Sequence, residues 1–233
     1  MAIKSLNQRK KKVLKKVVEE YIKKARPISS GMLVKRGFPK LSPATIRNEM
    51  LNLTKQGLLY QSHTSAGRIP TLQGLKFFLD NFLKEKDVST SKKKVFLEIK
   101  NKYQDKRKKI KELAKELAFL SQEAVVIAFS KDDFYYTGLS YLFHQPEFKN
   151  FSLIYSLSEV IDHLDKIMKN IFDKIEETKI LIGEENPFGD QCATIFDKSE
   201  INHQKIVIGL LGPLRMDYNK NLALIKLIKK ILK

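Results

Sequence analysis

Arg47 and Asn48 stand side by side and carry the two side chains best matched to base edges in the major groove of a DNA duplex. A guanidinium fork donates two bonds to O6 and N7 of guanine, and a carboxamide exchanges a pair with N6 and N7 of adenine. Ala44 and Leu51 nearby are apolar and could meet a thymine methyl. Lys55 and Arg68 suit phosphate oxygens, whose neutralisation is felt equally on every sequence and lowers the salt slope by about one per contact.

Such residues work only on a rigid support, and their neighbours supply one. Ser42 is a favoured N-cap and Pro43 suits the first helical position, where its missing N–H costs nothing. Gly57 can adopt the left-handed conformation that ends a helix, and Lys55 in the last turn complements the dipole. At about 100° per residue, Ile46, Met50 and Leu53 share one side, with Ala44, Asn48 and Lys55 opposite and Arg47 and Leu51 flanking them. With Ser42 and Thr45 at its start, this stretch is a candidate DNA recognition helix. Taken alone, an ordinary amphipathic surface helix has the same pattern.

The surrounding chain turns the candidate into a module. Residues 6–25 predict a helix through Val13, Leu14, Val17, Val18, Tyr21 and Ile22, with a lysine-rich outer face. Pro27 ends it, Ser29 or Ser30 caps a short second helix to Gly37, and Phe38 to Leu41 turn the chain into the helix described above. Helix, short helix, turn and capped helix follow the helix-turn-helix order. Leu58 to Ser62 then read as a strand, His63 to Gly67 as a turn and Arg68 to Pro70 as a return strand, which makes the module winged. His63, Thr64, Ser65 and Arg68 are the wing's candidate DNA contacts. Arg68, at the base or edge of the hairpin, would lie beside phosphates or in the minor groove, or else form an ion pair with Glu49 or Asp80. For His63, a local hydrogen bond competes with a DNA contact. Thr71 caps a fourth helix, Leu72 to Leu83, and residues 85–91 suit a linker.

Phe96, Ile99, Tyr103, Ile110, Leu113, Leu117 and Leu120 keep 3-4 spacing with one break at Lys106. They predict either a helix that pairs with its symmetry mate or one long helix lying on the downstream domain. From Ala124 the period changes. Strands are expected over 124–129, 153–155, 179–182, 192–196 and 205–211, with helices over 160–175 and 218–232, giving an α+β domain with a mixed sheet. No Gly-rich phosphate loop, catalytic triad spacing or His-carboxylate cluster occurs there. Glu184 and Glu185 read as a solvated turn, so the chain is not expected to be an enzyme.

The 233 residues, 42% hydrophobic and 30% charged, allow one large or two modest globular domains. The net charge of +18 is uneven: residues 1–130 hold 30 Lys/Arg against 11 Asp/Glu, and residues 131–233 hold 14 against 15. That asymmetry fits a nucleic-acid-binding half joined to a neutral one, although biased genomic composition also produces lysine excess. No apolar run of about 18 residues and no signal peptide are seen, so a cytoplasmic protein with no membrane association is expected. A lone cysteine, Cys192, and four scattered histidines imply no disulfide, metal or cofactor.

The run Ser42-Pro43-Ala44-Thr45-Ile46-Arg47-Asn48-Glu49-Met50, with His63-Thr64-Ser65-Ala66-Gly67-Arg68-Ile69-Pro70, resembles the winged-helix domain of the HrcA family of heat-inducible transcription repressors. Gly138-Leu139-Ser140, Gln145-Pro146-Glu147-Phe148, Ile182 to Pro187 and Gly212-Pro213-Leu214-Arg215-Met216-Asp217-Tyr218 resemble that family's C-terminal GAF-like domain. Together the likeness covers about residues 5–90 and 110–233. It implies a bacterial repressor that binds the inverted-repeat CIRCE operator in double-stranded DNA as a homodimer, helped into its active form by a GroEL-type chaperonin. The expected architecture is an N-terminal winged helix-turn-helix (1–86), a helical linker (87–120) and a C-terminal GAF-like α/β domain (121–233). The alternative is a winged-helix regulator controlled by a small molecule bound in the GAF-like domain. In one respect the chain departs from the family: only Ser130 to Thr137 separate the strand at 124–129 from Gly138, where relatives carry an inserted dimerisation segment. The heptad stretch 96–120 or the faces of the GAF-like domain would then pair two copies.

Overall fold

The computed structural model describes residues 6–63, 66–84, 86–149, 162–201 and 204–232. The chain divides into two units, Met1–Leu83 and Lys84–Lys233.

In the first unit, α1 (Gln8–Lys24), α2 (Ser30–Gly37) and α3 (Pro43–Lys55) precede the short antiparallel strands β1 (Leu59–Tyr60) and β2 (Ile69–Pro70) and a fourth helix, α4 (Leu72–Phe82). Each helix starts on a side-chain cap: Asn7, Ser29, Ser42 and Thr71 accept from the backbone N–H three residues on. The core is formed by Val13, Leu14, Val17 and Val18 of α1, Leu33 of α2, Ile46, Met50 and Leu53 of α3, and Leu75 and Phe78 of α4, all buried. Burying each such side chain contributes about 1.5–3 kcal/mol, which is why these faces were legible as 3-4 periodicities. Glu20 is buried in α1 and meets Lys16 at 3.2 Å and Arg36 of α2 at 3.1 Å. Burial works against its charge, but the two cations prevail and hold its carboxyl below the usual range.

The second unit starts with α5 (Thr90–Lys102) and α6 (Lys106–Ser121) and continues through β3 (Ala124–Ala128), β4 (Phe134–Thr137) and α7 (Leu139–Phe143). A 3-10 turn (Pro146–Lys149), α8 (Leu164–Phe172), β5 (Lys179–Ile182), β6 (Cys192–Ile201), β7 (Gln204–Pro213) and α9 (Tyr218–Leu232) follow. The five strands run in the order β4-β3-β7-β6-β5. Every pairing among the described residues is antiparallel, where a mixed sheet was expected. The reason is connectivity: β4 follows β3, and β7 follows β6, after connections too short for a crossover helix. One face of the sheet buries Val126, Leu142, Met168, Phe196 and Leu211. On the other, α6 packs on β3 and α9 on β6. Because both faces are covered, β3 is buried throughout and reads as an unbroken apolar run.

The continuous helix expected across 92–120 is two helices. Asp105 accepts from Lys108 N at 2.6 Å and caps α6, so the chain restarts there. The apolar stripe is used inside the unit, where α5 packs against α6 and α9. The strand expected at 153–155 and the start of the helix at 160–161 lie outside the described residues. The Glu184–Glu185 turn is exposed, as expected of a solvated loop.

Among the described residues no helix is long and apolar enough to cross a membrane, and no group of metal-ligating side chains gathers. Cys192 is buried, and burial first, with Asp190 and Glu123 adding to it, pushes its thiol up to about 12. It is not a poised nucleophile.

The motifs of the C-terminal half converge in space. Glu123, 4% exposed, directs Oε1 toward Asn221 Nδ2 at 3.4 Å. The other carboxylate oxygen lies so close to Gly212 that a β-carbon there would sit 2.1 Å away. Arg215 pairs with Glu147 and donates to Gln145 Oε1 at 2.7 Å, while Gln145 donates to Gln122 O at 3.1 Å. Tyr218, fully buried, donates to Leu214 O. Gly138 touches the Glu123 carbonyl: a β-carbon at this positive-φ position would meet it at 2.8 Å.

Candidate nucleic-acid interface

The surface of α3 opposite its core is a row of groups with no protein partner among the described residues. Ala44, Arg47, Asn48, Leu51 and Lys55 are all exposed, Leu51 at 42%. This is the arrangement the helical period predicts, because Ile46, Met50 and Leu53 turn their side into the core. Ser42 and Thr45 are committed locally: Ser42 Oγ accepts from Thr45 N at 3.1 Å and lies 2.9 Å from the Thr45 hydroxyl. Any ligand contact they make would share those oxygens with the cap. A Ser42→Ala chain should therefore lose about 1 kcal/mol of stability, read as a lower urea midpoint at unchanged slope.

Between the two strands, His63 is exposed and its carbonyl accepts from Ala66 N at 2.9 Å. Thr64 and Ser65 lie outside the described residues. The Gln61 side chain donates to Ala66 O at 2.8 Å.

Arg68 sits at the base of the hairpin, as expected, but it is buried, at 8% exposure. Its backbone is clamped to the loop between α1 and α2: Arg68 N donates to Ile28 O, and Ile28 N to Arg68 O, both at 2.9 Å. Gly67 makes this approach possible, since a β-carbon there would meet the Ile28 carbonyl carbon and oxygen at 2.6 Å. The alternative of an ion pair with Glu49 or Asp80 is not what is found. Glu49 is 3.6 Å from Arg9 instead, and Arg68 Nε has no hydrogen-bond partner among the described residues. Burial, together with the nearby charge of Arg47, lowers the Arg68 guanidinium from its ordinary value.

The two arginines line one cleft of about 360 Å³, together with Ser29, Ser30, Gln61 and Gly67. Nothing local in the sequence links position 47 to 68 or to 29. The spacing of a helix face located Arg47, but the docking of β2 on the α1–α2 loop brings Arg68 beside it.

These features define a class of protein: a basic helical unit exposing one polar helix above a two-stranded ladder, joined to a mixed unit of helices and antiparallel sheet. Within that class, the family described as HrcA protein C terminal domain matches residues 44–222, and the chain belongs to the HrcA family. It is similar to the heat-inducible transcription repressor HrcA of Natranaerobius thermophilus, 56% identical over 79 residues, which are 34% of this chain and 23% of that one. The repressor of the same name from Carboxydothermus hydrogenoformans is 38% identical over 126 residues, covering 52% of this chain and 36% of the relative. The chain thus matches about a quarter to a third of the length of these curated relatives. A crystal structure described only as a hypothetical protein superposes with a TM-score of 0.75 at 19% identity, over 98% of each chain, which establishes the fold alone.

Proposed function

We propose that this chain is a sequence-specific repressor of heat-shock genes, and that residues 1–86 form a winged helix-turn-helix whose recognition helix is α3. The observation that carries this reading is the exposed row of Ala44, Asn48, Leu51 and Lys55 on α3, next to the two arginines that line one cleft. A helix in a major groove uses both the apolar Leu51 and the exposed carboxamide of Asn48. Asn48 reads an adenine, Ala44 and Leu51 meet thymine methyls, and Lys55 neutralises a phosphate.

The site is an inverted repeat of the CIRCE type, bound by a homodimer that occludes polymerase, and a chaperonin of the GroEL type modulates the repressor. Family membership supports that operator and that partner. The GAF-like second unit pairs the copies, in a protein of the cytoplasm.

Fluorescence anisotropy of the full chain on an inverted-repeat duplex and on a scrambled duplex tests the reading. Asn48→Ala is expected to weaken operator binding by about 1–3 kcal/mol and to leave the scrambled duplex unchanged. Equal weakening on both would remove Asn48 from base reading, and no preference for the inverted repeat in the unmutated chain would remove the function itself. Sedimentation with the operator present should show two copies per site.

A further inference from the structure

We infer that the cleft between the α2 N-terminus, α3 and the β-hairpin is a built seat for a single phosphate of the DNA backbone, with Arg68 as its floor and Arg47 at its rim. The inference rests on the DNA-binding reading above and adds to it a site that takes one phosphodiester group.

Four observations converge on an anion. Arg68 is more than nine-tenths buried, lines the cleft, and has a buried Nε without a hydrogen-bond partner among the described residues. A buried donor left without a partner is costly, and an acceptor of opposite charge entering the cleft would complete it. The second cation, Arg47, lines the same cleft, and none of the described residues lining it carries a carboxylate. Two like charges facing each other without a counter-charge oppose their own approach.

The third wall is the start of α2. Ser29 caps the helix by accepting from Met32 N at 3.2 Å, and its carbonyl accepts from Leu33 N at 3.2 Å. The amide of Ser30, which lines the cleft and stands earlier in that first turn, has no carbonyl a turn behind it to bond, and the helix dipole favours negative charge there. The seat is also rigid, because the Arg68 backbone is held by both bonds to Ile28 and Gly67 abuts the same residue.

The chemistry selects the ligand. A phosphodiester has one charge and two non-bridging oxygens, which a guanidinium fork can take side by side while an amide approaches from another direction. Adjacent α3 exposes the face proposed to enter the groove, so the phosphate belongs to the same duplex. A seated phosphate fixes the register of α3 on the bases without reading any of them.

The test is a methylphosphonate scan of the inverted-repeat duplex, neutralising one phosphate at a time, against the unmutated chain, Arg68→Met and Arg47→Met, each verified as folded by circular dichroism. The expected result is one position per half-site where the neutral linkage costs the unmutated chain about 10- to 100-fold in affinity. That same linkage should cost Arg68→Met little further. Arg68→Met should weaken operator and scrambled duplex equally and lower the salt slope by about one. If Arg68→Met does not fold, the same coupling read with Arg47→Met decides. A chain that binds the operator but couples no phosphate to either arginine overturns the seat and leaves the DNA-binding reading standing. A chain that binds no duplex overturns that reading first. Displacement of the duplex by millimolar inorganic phosphate, beyond the effect of chloride at equal ionic strength, would mark a site for a free anion and overturn the assignment to DNA.

Discussion

Gly67→Ala is expected to lose about 1–3 kcal/mol of stability in the N-terminal unit and most of its DNA affinity with it. The added methyl would stand 2.6 Å from both the carbonyl carbon and the oxygen of Ile28, closer than a β-carbon contact allows. These are backbone atoms, so no side-chain rotation relieves the clash. The strand must lift, and the paired 2.9 Å bonds between Ile28 and Arg68 must lengthen or break. Arg68 then leaves the floor of the cleft. Urea unfolding followed by far-ultraviolet circular dichroism, with anisotropy on the inverted repeat, measures both effects. Gly31→Ala is the matched control for the stability effect alone: a β-carbon there meets nothing within 4 Å, and alanine is the better helix former by up to about 1 kcal/mol. A Gly67→Ala chain as stable and as tightly bound as the unmutated one would show that the contact does not hold the site.

The second large effect is one of pH. Burial raises the Glu123 carboxyl from 4.5 to about 8; Lys220, Asn221 and Arg215 pull it down, and Glu147 adds to the rise. In the unfolded chain Glu123 titrates near the ordinary 4.5, so between that pH and about 8 the folded chain holds the extra proton. Stability is therefore complete below about pH 4.5, declines as pH rises through the window, and is lowest above about 8. At 1.4 kcal/mol per pKa unit, the loss is on the order of 3–5 kcal/mol. Glu123→Gln keeps the shape and the Asn221 contact but cannot ionise. It should flatten the stability-against-pH profile of the second unit and be the more stable chain at pH 8. Parallel profiles for the two chains between pH 5 and 8 would refute the assignment.

The parts of the molecule legible in the sequence share a cause. Capping and amphipathic period act within a dozen residues, so Ser29, Ser42 and Thr71 marked their helix starts and Ile46, Met50 and Leu53 marked the buried side of α3. Asp105 carried the same kind of signal and was overridden by the longer 3-4 pattern, which made two helices read as one. The short β4 and α7 were not foreseen at all. Their sequence, Phe134-Tyr-Tyr-Thr-Gly-Leu-Ser, has neither a long period nor a side-chain cap, and Gly138 opens α7 only through its left-handed backbone.

Sequence alone thus determined that the chain would expose Arg47, Asn48 and Lys55 on one helix within a basic half, because a helix places side chains by angle and charge adds along the chain. It also carried the family motifs as separate runs. Only the tertiary structure decided that Arg68 would be buried beside Arg47, that Glu147 would pair with Arg215, and that Glu123 would be buried against Asn221. Those outcomes depend on backbones far apart in sequence approaching closely enough for Gly67 to touch Ile28 and Gly212 to touch Glu123. Desolvation, which sets the charge balance at both places, exists only once that approach is made.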